Sequence, residues 1–498
     1  MKHRFNNISS MSFSREQQYA FEQFLLGENL FITGPGGSGK SFLIQKMVES
    51  LNTRGLAYQV CAMTGCAAVL LGHGAKTLHS WTGMGLGNGH KEDIVKKIVH
   101  NKKTLSNLRK TRVLIVDEIS MLSLKLFEVL NSALKVIKKN QLVFGGVQVI
   151  FTGDFFQLPP IGDDDDFCFR SSQWFSVFPW KNHIELKHIF RQEDEIYKRI
   201  LNQIRIGQID EESIDILKKC VGREVVGDII PTKLFAVRYK TEFVNNRMYD
   251  KLEGEEVVYE IQSKHDLKTY IESGKVIDTG SIIKCQELSQ KEVISEIEGL
   301  MNQTNRNGTV RLKRGARVMC VHNIAVEDGI CNGSQGVVVD FMSNRLRTPI
   351  VLFSNGRRME IEPIWTQSDE YPCIGIGQVP LCLAWAMTIH KIQGATLTMA
   401  EMDLGLTVFE YGQTYVALSR IRSLEGLYLS AFHPKKIKAN PFVCEFYEKI
   451  PEIPVESPVE SPVESPVESP VESPVEDVIK GNIFEDFAYK NEIKVVRL

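Results

Sequence analysis

The sequence predicts an α/β fold with parallel sheets in two cores, a β-rich insertion inside the second, and a tail that cannot form a core. Three observations carry this. Up to about residue 185, apolar runs of strand length alternate with helical patterns, as parallel strands joined by helices require. From about 308 to 380 the pattern changes to short strands separated by turn dipeptides. Residues 454–477 are six tandem four-residue units, five Pro-Val-Glu-Ser and a last Pro-Val-Glu-Asp.

The first core is expected over residues 1–185, with buried strands at Leu30–Thr33, Tyr58–Ala62, Val113–Val116 and Gln148–Phe151. Between the first strand and an amphipathic helix stands Gly34-Pro35-Gly36-Gly37-Ser38-Gly39-Lys40-Ser41. Glycines can take the dihedral angles that turn successive backbone N–H groups inward around a polyphosphate, and the following helix N-terminus adds its partial positive charge. Lys40 is placed to reach the β and γ phosphates, and the Ser41 hydroxyl to hold Mg²⁺. The loop therefore implies binding of a nucleoside triphosphate with Mg²⁺.

Val113–Val116 runs into Asp117-Glu118, 77 residues after Lys40. A carboxylate at the carboxyl end of a buried strand beside a phosphate loop suits a Mg²⁺ ligand, and its neighbour Glu118 is placed to polarise an attacking water. The next strand ends in Thr152-Gly153-Asp154-Phe155-Phe156-Gln157-Leu-Pro159-Pro160. Gln157 is placed to sense the γ-phosphate, and Phe155 is expected to face a nucleic-acid groove, although such a pair without context is more often core.

The second core is expected in two pieces, 186–307 and 381–450, with strands at Lys233–Val237, Leu381–Ala384 and Leu427–Leu429 and helices at Ile196–Ile206 and Tyr411–Ser419. The insertion, 308–380, carries strands at Ala316–His322, Gly336–Phe341, Ile350–Phe353 and Arg358–Ile361, with hairpin dipeptides Asn332-Gly333 and Asn355-Gly356. Proline at every fourth position of 454–477 forbids helix and sheet, so 451–498 reads as a disordered acidic tail. Its end, Ile483-Phe484-Glu-Asp-Phe487, is either a plain terminus or a docking peptide for a protein partner.

The overall net charge of −2 hides an asymmetry. Residues 451–498 carry 11 acidic and 4 basic side chains, leaving 55 basic and 50 acidic on the first 450, which permits a phosphate-rich partner. The ten cysteines form no Cys-x-x-Cys pair, so reduced thiols in an intracellular, soluble protein are expected. No apolar run approaches the roughly 20 residues needed to span a bilayer. Met1-Lys-His-Arg-Phe also lacks the apolar core of a secretion signal. Asp163–Asp166 reads as a solvated acidic loop rather than a metal site.

Taken together, Asp117-Glu118-Ile-Ser-Met121 and Gly153-Asp154-Phe-Phe-Gln157-Leu-Pro-Pro resemble motifs II and III of superfamily-one helicases, most of all the PIF-one DNA helicases. Phe144-Gly-Gly146 resembles the end of that family's signature segment, and Ser14-Arg-Glu-Gln17 its adenine-reading motif. Phe190-Arg191-Gln192 is similar to motif IV, Thr388-Ile-His390-Lys391-Ile392-Gln393-Gly394-Ala-Thr396 to motif V, and Tyr415-Val-Ala-Leu-Ser419-Arg420 to motif VI, with Ile392 where serine is expected. Thr64-Gly65-Cys-Ala67-Ala68 and Thr77-Leu-His79-Ser80-Trp81 resemble strand-binding motifs.

The resemblance implies two RecA-like cores forming a helicase, with an SH3-like β-barrel insert and a wedge near 83–103 that faces a duplex fork. It also implies 5′→3′ movement on single-stranded DNA. Arg191 and Arg420 would approach the γ-phosphate. Gln17, the phosphate loop and Gly394 would bind nucleotide. Thr64, His79, His390, Lys391 and Thr396 would hold the strand by phosphates and sugars without reading sequence. The expected partners are single-stranded and forked DNA, with a monomer as the working unit and no membrane. Two alternatives stay open: an RNA helicase or RecD-like subunit, and a nucleotide-dependent scaffold that binds strands without turnover.

Overall fold

The computed structural model describes residues 13–453 except 86, 88, 161, 163–165, 226–230, 267–284, 286, 304–308, 323, 326, 327, 329, 331–333, 369, 370, 372 and 395. The repeat and terminal segment, Asp163–Asp165 and Asn332-Gly333 thus lie outside the described residues.

The first sheet has six parallel strands, β1 (Leu30–Thr33), β2 (Tyr58–Ala62), β3 (Lys76–Thr77), β4 (Val113–Asp117), β5 (Gln148–Gly153) and β6 (His183–Glu185), in the order β3-β2-β4-β5-β1-β6. Its alternation divides two apolar layers. Leu30, Ile32, Val113, Ile115 and Ile150 face the helices Arg15–Leu25 and Lys40–Thr53, through Phe24, Leu43, Met47 and Leu51. Phe31, Leu114, Val116, Val149 and Phe151 face the other side, where the helix Leu124–Lys138 buries Phe127, Leu130 and Leu134. A sheet covered on both faces needs apolar residues at nearly every position, which is why its strands read as continuous runs.

The second sheet is smaller. It starts with β7 (Thr232–Phe235), after the helices Glu195–Arg205 and Glu211–Lys219. The chain then leaves the sheet for residues 236–385. In that stretch β8 (Val257–Glu260) pairs with β10 (Thr309–Leu312), and β9 (Gln262–His265) joins β15 (Ile364–Gln367) and β16 (Ile374–Gln378). The strands β11 (Arg317–Cys320), β12 (Gln335–Phe341), β13 (Pro349–Phe353), β14 (Arg358–Glu360) and β17 (Leu381–Leu383) form a five-stranded antiparallel sheet, order β14-β13-β12-β11-β17. The parallel sheet resumes with β18 (Ala386–Thr388), β19 (Ala400–Leu404) and β20 (Leu427–Phe432), order β18-β7-β19-β20.

Two boundaries differ from the expectation. Leu381–Leu383 belongs to the antiparallel insertion, where Leu383 pairs with Val318, and the strand of the parallel sheet is Ala386–Thr388. A short apolar run states that a strand is buried but not which sheet buries it. The helix Pro441–Glu448 follows the second sheet in the chain yet buries Phe446 against Phe31, Phe155, Phe169 and Trp180 of the first. The compact unit also runs past residue 450: Glu452 pairs with Lys187, and the Ile453 carbonyl accepts from Arg15.

The helix Lys91–His100 of the expected wedge and the helix Lys102–Lys110 that follows it pack against Leu124–Lys138, with Lys91 paired to Glu128. Among the described residues no helix is long and apolar enough to cross a membrane.

Candidate functional site: a phosphate-loop cleft between two sheets

The carboxyl ends of β1, β4 and β5 bring the phosphate loop, Asp117-Glu118 and Asp154–Gln157 to one edge. Gly37 and Gly39 hold positive φ, and their missing Cβ atoms are required on both sides. A Cβ on Gly37 would stand 2.5 Å from that of Arg191, and one on Gly39 2.4 Å from Gln17 Nε2. The Phe190 N–H donates to the Gly37 carbonyl at 2.9 Å, fastening the segment 190–192 onto the loop.

A cleft of about 330 Å³ lies here, lined by Gly36 to Ser41, Asp117, Glu118, Gln157, Arg191, Gly394 and Arg420. Lys40 Nζ, within the loop, donates to the carbonyls of Gly34 at 2.6 Å and Pro35 at 3.0 Å. Burial lowers its ammonium below the ordinary lysine range, against the opposing charges of Asp154, Glu118 and Asp117. Burial and then Glu118 push the Asp117 carboxyl up to about 6, although it accepts from Thr152 Oγ1 and from the Glu118 N–H. Burial and then Arg420 push the Arg191 guanidinium down to about 10. Arg420 is also lowered by burial. Carboxylates and cations are therefore gathered in one cleft, with Asp117 and Arg420 buried and Lys40, Glu118 and Arg191 half-buried.

The donor set fits a magnesium-bound triphosphate. The loop and three cations would face the phosphates of a bound triphosphate, and the Asp117 carboxylate and Ser41 would hold Mg²⁺. Gln157 lines the cleft, and its Oε1 is buried with no hydrogen-bond partner among the described residues.

The site is closed from the second sheet. Gln393 Nε2 donates to Glu118 Oε2 at 3.1 Å, and Arg191 Nη1 to the Ser419 carbonyl at 3.2 Å. Glu118 itself sits in the left-handed region at φ 56°.

One expected residue has another role. Phe155 is 1% exposed and packs on Phe31, Phe167, Phe169 and Phe446, so it belongs to the core and not to a nucleic-acid groove. Gln17 supports the loop from the first helix. Its Oε1 accepts from Ser14 N–H in a capping box, and its Nε2 reaches the Ser38 and Gly39 carbonyls at 3.5 Å.

The strand-binding candidates lie on polar turns. Thr64 caps the helix Gly65–Leu71, and Thr388 caps the turn bearing His390 and Lys391. Lys391 and Thr396 are exposed; His79 and His390 are half-buried, and burial lowers both imidazoles. Sequence reasoning missed Phe190, half-exposed on the cleft wall, and Phe409, 65% exposed and stacked on His390 at 6.5 Å. An exposed aromatic beside a motif residue was the available signal.

Fold and site define a phosphate-loop protein whose nucleotide cleft is closed by a second parallel sheet. Residues 12–214 match the PIF1-like helicase family, and residues 299–341 match the DNA helicase Pif1 2B domain. The chain is 31% identical to the ATP-dependent DNA helicase PIF1 of Candida albicans over 549 residues, covering 89% of this chain and 57% of that relative. It superposes on the crystal structure of the Candida albicans Pif1 helicase with a TM-score of 0.72 and 33% identity, covering 89% of this chain and all of that one. The Bacteroides Pif1 helicase in complex with ADP-AlF3 and single-stranded DNA is 26% identical with a TM-score of 0.61, over 88% of this chain and 97% of that one. The chain belongs to the PIF1-like helicase family. It spans 57–64% of the length of the Candida albicans and Danio rerio relatives.

Proposed function

We propose that this chain is an ATP-dependent DNA helicase that moves 5′→3′ along single-stranded DNA and opens duplexes at forks. One observation carries the reading: a single buried cleft gathers a phosphate loop, a strand-end Asp-Glu pair and two arginines. A binding scaffold has no need of a complete hydrolytic set. In this reading the two parallel sheets are RecA-like halves and the antiparallel insertion is SH3-like. Because phosphate loop and arginines belong to one chain, one copy completes the site and a monomer is the minimal motor.

Asp117 and Ser41 would hold Mg²⁺, which would supply charge neutralisation on the phosphate oxygens. Glu118 Oε1 and Oε2 orient the attacking water and accept its proton, with Gln393 fixing one of those oxygens. Lys40, Arg191 and Arg420 offset the charge that develops as the terminal phosphoryl group leaves. Gln157, on the cleft wall, senses the γ-phosphate. Thr64 and His79 grip the strand from one half, and His390, Lys391 and Thr396 from the other. Closing and opening the cleft then changes their separation. The Bacteroides relative, crystallised with a nucleotide analogue and single-stranded DNA, supports both ligands.

The test is strand displacement on matched duplexes with 5′ or 3′ tails, together with ATPase stimulation by single-stranded DNA and RNA. Unwinding only of the 5′-tailed duplex and stimulation by DNA are expected, with binding that weakens steeply with salt. Equal unwinding of both substrates would reject the polarity, and stimulation by RNA alone would reject the substrate.

A further inference from the structure

Outside the cleft's polar wall lies a buried cluster whose parts come from far-apart segments of the chain. Asp154, fully buried after β5, accepts from Arg205 Nε at 3.0 Å and Nη2 at 3.0 Å, from Tyr415 Oη at 3.1 Å and from Tyr447 Oη at 3.2 Å. Arg205 also reaches Glu185 at 2.9 Å and lies over the Phe156 ring. Burial opposes the charge of Arg205, yet Asp154, Tyr447, Tyr415 and Glu185 hold its guanidinium above the ordinary arginine range.

Tyr415 has a second bond that the others lack. Its hydroxyl donates to Asp154 and accepts the backbone N–H of Gly36 in the phosphate loop at 2.9 Å. It stands on the short helix Gln413–Leu418, and its own carbonyl accepts from the Ser419 N–H at 2.9 Å. Arg420 follows, its guanidinium tied back to the Val416 carbonyl at 3.0 Å and to Ser419 Oγ at 2.8 Å. The helix start is fixed too: a Cβ on Gly412 would meet the Phe156 and Gln157 carbonyls at 2.4 and 2.6 Å. A Cβ on Gly36 would lie 3.5 Å from Ser419 and 3.6 Å from Arg420 Nη2, so the loop and the arginine-bearing turn face each other directly.

We infer that Tyr415 is a positioning residue: its hydroxyl pins the phosphate loop at Gly36 to the turn that carries Arg420, and so sets that arginine for the terminal phosphate. The inference rests on the ATPase reading above. Tyr415 touches no reacting atom; it acts through Arg420. Losing its hydroxyl lets the turn drift while the phosphate loop, Lys40 and the ring packing of Tyr415 stay in place. Turnover should fall and nucleotide affinity should not.

Tyr415→Phe in the full chain tests this, with Tyr447→Phe beside it. Tyr447 also donates to Asp154, accepts from the Phe155 N–H and pairs with Thr33, but it does not touch Gly36. Each variant is measured for DNA-stimulated kcat, KM for ATP, affinity for ADP and thermal midpoint. Tyr415→Phe should lower kcat about tenfold, the worth of one neutral hydrogen bond realised in the transition state, with KM and ADP affinity within about twofold. Tyr447→Phe should lower the midpoint at least as much and leave kcat within about twofold.

On an Arg420→Lys background, Tyr415→Phe should cost little more, because the two act as one unit. Normal kcat in Tyr415→Phe, equal kcat losses in the two tyrosine variants, or losses that multiply on the Arg420→Lys background would each overturn the inference. A wild-type chain with no DNA-stimulated ATPase would instead reject the helicase reading, which separates the two failures.

Discussion

The two parallel sheets are built for different work. The first is six strands wide, covered on both faces, and closed at one end by an aromatic cluster around Trp174 that includes Phe31, Phe127, Phe151, Phe155, Phe178 and Phe446. Its functional groups ride on strand ends and on one loop that is hydrogen-bonded to itself. The second sheet has four strands and is interrupted between β7 and β18 by an antiparallel insertion of more than twice its strand number. Its contributions, Gln393 and Arg420, come from turns. The half that carries the phosphate loop faces a half that brings Arg420 and Gln393 to the same cleft from turns.

The widest separation between the halves should come from one lysine and one arginine. Arg420→Ala should leave ATP binding near wild type and slow turnover by about 10³–10⁵, the range for arginines that stabilise phosphoryl transfer. Lys40→Ala should instead lose nucleotide binding and turnover together, with single-strand affinity retained. Steady-state ATPase with a fluorescent nucleotide titration checks both; two variants with the same profile would erase the division of labour.

The strap Pro441–Glu448 tests whether the first half depends on chain that follows the second. Phe446→Ala should destabilise the protein by about 3–5 kcal/mol, as expected for emptying a packed aromatic site. Deleting 454–498 should leave unwinding within a few-fold, whereas deleting 441–498 should prevent folding. Denaturant melts of the three proteins decide it, and an unchanged melt for Phe446→Ala would return the helix to the second half.

Acid should weaken the first half through His183. The ring accepts from Trp174 Nε1 at 2.9 Å, and its other nitrogen stands 3.1 Å from the Pro179 carbonyl. Burial, resisted by the Pro179 and Trp180 backbone, lowers its pKa to about 4. Because the native value lies below the unfolded one, this contribution is complete above about pH 6.5 and is lost as pH falls toward 4, a change on the order of 3 kcal/mol. Gln at this position can make both hydrogen bonds without titrating, so His183→Gln should flatten the acid limb of stability against pH.

The smallest effect concerns Phe190 on the cleft wall. Phe190→Ala should raise KM for ATP by roughly the 1–3 kcal/mol of one base–aromatic contact and leave kcat nearly unchanged. A fall in kcat alone would mean that it positions Arg191 instead.

Much of this was written locally. β1 and β2 match the expected strands residue for residue, because a buried parallel strand must be a short apolar run and glycine or polar residues must end it. The phosphate loop, Asp117-Glu118 and Arg420 were legible for the same reason: their chemistry demands particular residues in a short, ordered stretch. Leu381–Ala384 was assigned to the wrong sheet because its pattern is the same in either. Phe155 read as a surface aromatic because the residues that cover it are distant in the chain, the neighbouring strap residue Tyr447 being 292 positions away from it.

The bond from Tyr415 to Gly36 joins residues 379 positions apart, and no periodicity or motif spacing announces such a pair. Sequence by itself determined the central strands of the first sheet, the phosphate-loop motif between β1 and its helix and which side chains carry charge, since those follow from backbone geometry and local patterning. Only the tertiary structure decided which faces meet, because burial and hydrogen-bond satisfaction are properties of the whole packed chain.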